Sequence, residues 1–148
     1  KVQEVTNYIN YALNNKGYKL EDLKFDPADF VKYAETYNFS LPLMLAQAHL
    51  ESCFGMTPRA QKTNSMFSVG LYDSGKNICT FSNQSESIGN YIRTMQKYYL
   101  NNKTIDDLLS PNGFVNDQGK RYASDSNYES KIKNVMARIE KMCPSITK

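Results

Sequence analysis

The chain has one histidine, His49, and three cysteines, Cys53, Cys79 and Cys143. Their spacing fits no zinc pattern, so no metal or cofactor is expected. So few cysteines exclude a dense disulfide framework. One bridge is possible, and free, buried thiols are the default expectation. No apolar run reaches the roughly 18 residues of a membrane-spanning helix. The opening Lys1-Val2-Gln3-Glu4-Val5 lacks both a signal-peptide core and an initiator Met. It is read as the start of a processed product or of a domain cut from a longer protein. The 18 Lys and Arg against 15 Asp and Glu leave a charge of +3. These cations are scattered and form no stripe, so nucleic acid is not an expected partner.

What remains is an ordinary globular composition, 41% apolar over 148 residues. That suits one domain with a single core. Val2 to Asn15 reads as a helix with Val5, Ile9, Ala12 and Leu13 on one side, ended by Gly17. Asp26-Pro27 opens a second helix with an apolar stripe of Phe30, Val31, Ala34 and Tyr37. Ser40 caps a third, with Pro42 in its first turn and Gly55 just past its end. Residues 57–65 are polar and aperiodic, which predicts a loop. Phe67, Val69 and Leu71 alternate, Asp73-Ser74-Gly75-Lys76-Asn77 supplies turn residues, and Ile78 to Phe81 follow. That pattern predicts a β-hairpin. Ser85 to about Leu100 reads as a long helix, Thr104 to Leu109 as a short one, and 113–127 as loop. A last helix starts at Asn127 or Tyr128. The expected fold is one mainly α (α+β) domain over residues 1–148, with a small β-lobe at about 64–83 bordering a cleft.

The stretch with the most chemistry is Ala46-Gln47-Ala48-His49-Leu50-Glu51-Ser52-Cys53-Phe54-Gly55. A carboxyl sits in the last turn of an apolar helix. Ala48, Leu50 and Phe54 can desolvate it, and the helix C-terminus carries partial negative charge. Both favour the protonated acid that donation to a glycosidic oxygen requires. A surface Glu at a helix end gives the same pattern. His49, two residues earlier, points to another side of the helix and reads as a packed histidine.

This run resembles the Ala-Gln-Ala-x-Leu-Glu-Ser-Gly-x-Gly motif of the glucosaminidase family of peptidoglycan hydrolases. Three further segments resemble family motifs in the same order: Asn64-Ser65-Met66-Phe67-Ser68-Val69-Gly70, Phe81-Ser82-Asn83-Gln84-Ser85-Glu86-Ser87-Ile88, and Arg121-Tyr122-Ala123-Ser124-Asp125-Ser126-Asn127-Tyr128. The resemblance covers about Leu41 to Ile139. It implies a lysozyme-like fold, a glycan cleft, peptidoglycan strands as partner, and Glu51 as catalytic acid. It also implies Tyr122 beside that acid, and sugar contacts from Asn64, Ser65, Phe67 and Tyr128. The family's usual outcome is cleavage after N-acetylglucosamine. Muramidase or lytic transglycosylase chemistry on the same fold is the nearest alternative, and a non-cutting glycan-binding or phage-tail module the next. Localisation follows the substrate: extracellular, envelope or virion-associated. The isolated domain is expected to be a monomer, or part of a larger virion or envelope protein.

The chain departs from the family pattern at three points. Cys53 and Ser68 stand where Gly is usual, and the hairpin lacks the Glu-bearing extension of some members. Asp73 is the acidic residue left in the hairpin, a candidate second carboxylate and equally a turn former. Glu86 reads as helix-start chemistry behind Asn83 or Ser82.

Overall fold

The computed structural model describes residues 1–69 and 80–146. It is mainly helical. Helices α1 (Val2–Asn15), α2 (Ala28–Tyr37), α3 (Leu41–Ser52), α5 (Gln84–Thr94), α6 (Ile105–Leu109) and α7 (Tyr128–Met142) lie where the apolar periodicity and caps place them. The caps act as their residue types suggest. Asp26 Oδ1 accepts from Ala28 N at 2.9 Å, and Ser40 Oγ from Leu43 N at 3.2 Å. Thr104 and Asp107 close a reciprocal capping box on α6. Asn83 Oδ1 takes Glu86 N, so Glu86 belongs to the start of α5 as expected.

Helix α3 is the centre of the molecule. Every residue from Leu41 to Ala48 is buried, as befits a helix apolar on all sides. Helices α2 and α7 pack on it, and α5 packs on α2. Aromatic rings fill the space around it. Phe67 stacks on Tyr91 at 4.0 Å, and Phe30 meets Phe54 edge-on at 6.0 Å. Cys53 and Cys143 are buried free thiols.

Three expectations need correction. Residues 57–65 are not all loop: Pro58–Thr63 forms helix α4. Thr57 caps it and Pro58 fills its first turn, while Ala60 and Thr63 alone face inward, so its polar sequence hides the period. The long helix from Ser85 does not stay α to Leu100; it widens into a π-turn over Met95–Tyr99. Among the described residues there is no strand, only a single antiparallel bridge between Val115 and Arg121. The first arm of the expected hairpin fails because Met66 and Phe67 are both buried and Ser68 turns left-handed at φ 56°. That breaks the alternation a strand needs. The hairpin's turn, with Asp73, and the first half of its second arm, with Cys79, lie outside the described residues.

Candidate active site

Glu51 sits in the last turn of α3, half-buried where the central helix reaches the surface. Burial raises its pKa from 4.5 to about 7, while side-chain hydrogen bonds with Tyr128 and Ser68 act in the opposite direction. No described cation or second carboxylate contributes. The acid is therefore protonated through the mildly acidic range without a like-charged neighbour.

Beyond Glu51 the chain makes an unusual exit. Cys53, Phe54 and Gly55 are all left-handed, with φ of 48°, 57° and 83°. The family's Gly at the position of Cys53 has a physical reason here, since only Gly enters that region without steric cost. Gly55 enters the same region without strain, and a Cβ there would run into the amide end of the buried Gln84 side chain. Ser52 Oγ accepts from Gly55 N at 2.8 Å and donates to Met66 O at 2.6 Å. This hydroxyl ties the helix end to the 65–69 segment. Ser87 Oγ on α5 accepts from Met66 N at 3.3 Å, and Tyr122 Oη donates to Phe67 O at 2.6 Å. Held from three sides, the segment presents Ser68 to Glu51. Ser68 stands at the second Gly position of the family pattern and is again left-handed.

A set of tyrosines closes the inner side. Tyr91 on α5, Tyr122 in the 113–127 segment and Tyr128 at the start of α7 are all pushed above the ordinary phenol range, first by burial and then by the charge of Glu51. Tyr122 stacks on Tyr128 with ring centroids 5.9 Å apart. Gln47, one turn before Glu51 on the same helix face, is fully buried. Its Oε1 accepts from Tyr91 Oη, and its Nε2 donates to Tyr128 Oη at 3.1 Å.

Arg121 fixes the segment that carries Tyr122. Its guanidinium meets both oxygens of the buried Glu129, at 2.8 and 2.9 Å, and bonds the carbonyls of Ala123 and Asp125. Glu129 also accepts from Phe114 N, and its pKa is lowered, chiefly by Arg121.

The open side is a cleft of about 370 Å³ whose lining includes Ser68, Tyr98, Tyr99, Asn116, Asp117 and Tyr122. The π-turn supplies Tyr98 and Tyr99. A cavity of about 420 Å³ lies by Ser40 and Pro42, at the opposite end of α3 from Glu51. A 12-residue helix separates the two ends by about 18 Å, so that cavity has no access to the acid.

The structure thus brings Glu51, Tyr122 and Tyr128 together, but the expected sugar contacts are placed differently. Phe67 is 1% exposed and Ser65 5%; both are interior, so neither ring nor hydroxyl reaches the cleft surface. Tyr128, 4% exposed, faces the acid from inside. Asn64 is spent on closure: its Nδ2 donates to Phe81 O at 2.9 Å and Phe81 N returns to Thr63 O, so the 64–81 excursion begins and ends at one point. Asp73 lies outside the described residues. His49 is packed, as expected, with Nδ1 2.6 Å from Tyr8 Oη. The sequence reading overlooked Gln47, Tyr91, Arg121 and Asp117 as parts of the site. Only Gln47 carried a local signal, its one-turn spacing from Glu51.

A buried carboxyl with a raised pKa, joined through Ser68 to an open cleft, is the kind of equipment a glycosidase uses. The comparison with protein families agrees: the glucosaminidase model, described as mannosyl-glycoprotein endo-beta-N-acetylglucosaminidase, matches residues 27–141. The chain belongs to the glucosaminidase family and is a glycoside hydrolase of the peptidoglycan-hydrolase kind. Among proteins of curated function, none matches it.

Proposed function

We propose that the protein cleaves the β-1,4 glycan backbone of peptidoglycan on the reducing side of N-acetylglucosamine, with Glu51 as general acid. The carrying observation is the Glu51 carboxyl, held protonated up to about neutral pH by burial and hydrogen-bonded with Ser68, which lines the cleft. Glu51 gives its proton to the glycosidic oxygen as the bond to the anomeric carbon breaks. The positive charge developing there is met by the substrate's own acetamido oxygen or by a carboxylate, Asp73 or the cleft-lining Asp117. Tyr122 has already committed its proton to Phe67 O, so its hydroxyl offers lone pairs alone. It accepts from an acetamido N–H or from the attacking water. The family description names a mannosyl glycoprotein as substrate; its endo-acting N-acetylglucosaminidase chemistry is the part carried over to peptidoglycan.

One observation also favours a lytic transglycosylase: no second carboxylate acts on Glu51 among the described residues. Mass spectrometry of digested cell walls decides. Reducing N-acetylglucosamine ends support the proposal. Reducing N-acetylmuramic acid or anhydro ends overturn the bond assignment. Loss of turbidity by the wild type and its absence in Glu51→Gln supports the acid. A wild type without lytic activity leaves a glycan-binding module, placed at an envelope or in a virion.

A further inference from the structure

The buried hydrogen bonds behind Glu51 have a direction. Tyr91 is fully buried, stacked on Phe67 at 4.0 Å and held edge-on by Phe39 at 5.6 Å. Among the described residues its hydroxyl has one acceptor, Gln47 Oε1. The phenol must donate there, because an unpaired buried O–H is costly. This settles which end of the Gln47 amide is oxygen. The NH2 end is left facing Tyr128 and donates to its hydroxyl at 3.1 Å. The single proton of Tyr128 is then left over for Glu51, whose carboxyl raises this phenol's pKa both by its charge and by hydrogen bonding.

We propose that Gln47 and Tyr91 are positioning residues for the catalytic acid: they force Tyr128 to donate to the Glu51 carboxyl, and so keep the acid's own proton on the side of Ser68 and the cleft. The proposal rests on the reading of Glu51 as general acid. Its chemistry is simple. A carboxylic acid can turn its O–H toward any acceptor, and a tyrosine hydroxyl with a free lone pair behind it would be a good one. In that arrangement the proton points into the protein, away from the glycosidic oxygen. The chain Tyr91 to Gln47 to Tyr128 to Glu51 removes the option, because reversing it strands the Tyr91 proton. Ser68 is no equivalent trap: its hydroxyl both donates and accepts and lines the cleft, where substrate can reach the same proton. The titratable groups facing Glu51 are Tyr91 from α5, Tyr122 from the 113–127 segment and Tyr128 from α7, all neutral in the working range. The direction of these bonds, and not a neighbouring charge, orients the acid.

Tyr91→Phe tests this. It deletes one hydroxyl that touches neither substrate nor Glu51, and it frees the Gln47 amide to flip. Tyr128 can then donate to Gln47, and protonated Glu51 can donate to Tyr128. The expected result is a kcat roughly tenfold lower at unchanged KM, the upper end of what one neutral buried hydrogen bond contributes. The alkaline limb of the pH–rate profile moves up, since a donor that favours the carboxylate is lost. Gln47→Glu is the conservative rescue. At acidic pH its buried new carboxyl is protonated and reproduces one acceptor and one donor. It is expected to keep most activity there and to lose it as that carboxyl ionises and captures the Tyr128 proton. A Tyr91→Phe enzyme with wild-type kcat and an unmoved alkaline limb, even if less stable, overturns the relay. If Glu51→Gln keeps lytic activity, the acid assignment falls and takes the relay with it. If Glu51→Gln is dead and Tyr91→Phe is unchanged, only the relay falls.

Discussion

Replacing Glu51 by Gln is expected to make this protein more stable at mildly alkaline pH while removing its activity. The carboxyl has an ordinary pKa of 4.5 and a folded value of about 7, with burial the largest cause. Between those values the folded protein binds more protons at this site than the unfolded chain, so stability falls as pH rises. The contribution is whole below pH 4.5, declines toward pH 7 and is absent above it. The span between the two pKa values corresponds to about 3 kcal/mol of destabilisation at about pH 8. Gln escapes this cost because it is never charged. Its carbonyl still accepts from Tyr128, and its NH2 can donate to Ser68. For a domain of this size the difference is a melting temperature raised by roughly 10 °C at about pH 8, and near zero at about pH 4.5. Thermal melts of both proteins across that range read it directly. The same Gln variant is expected to lose roughly 100- to 10,000-fold in activity, having no proton to give. A stability difference that does not vary with pH would refute the reasoning, as would a Gln variant less stable than wild type at alkaline pH.

Three further outcomes follow from the same geometry. Ser68→Gly relieves a left-handed residue worth about 1 kcal/mol and removes a hydrogen bond that lowers the Glu51 pKa; melting should rise and the alkaline limb of activity shift upward, and a downward shift would contradict the placement of Ser68. Arg121→Met strands the buried Glu129 carboxylate and should cost about 3 kcal/mol in denaturant unfolding, with Arg121→Lys recovering only part because it cannot bond both oxygens. Asp73→Asn and Asp117→Asn should each keep most activity if the acetamido group meets the developing charge, and Tyr122→Phe should cost more; with melting matched, an Asp variant as dead as Glu51→Gln would establish a two-carboxylate mechanism.

The sequence alone determined most of the helices and the place of the candidate acid, Glu51, among them. A helix with a clear apolar period and a capping residue is a local event, which is why α1, α2, α3, α5 and α7 were legible. The place of Glu51 at the end of an apolar helix was legible for the same reason, but the tyrosines that close around it, Tyr91, Tyr122 and Tyr128, come from distant parts of the chain. Tertiary structure decided the rest. Whether 66–69 becomes a strand depends on Ser52, Ser87 and Tyr122, which bind that segment from elsewhere and leave Ser68 left-handed beside the acid. Pro58–Thr63 is a helix because the fold buries two of its residues, too few to write a period. The direction of the bonds behind Glu51 needs Gln47 to meet Tyr91, 44 residues on, and Tyr128, 81 residues on. A hydrogen bond has no sequence signature when packing alone sets its partner and its direction. The chain itself encodes a protonatable carboxyl; the assembled fold decides where its proton points.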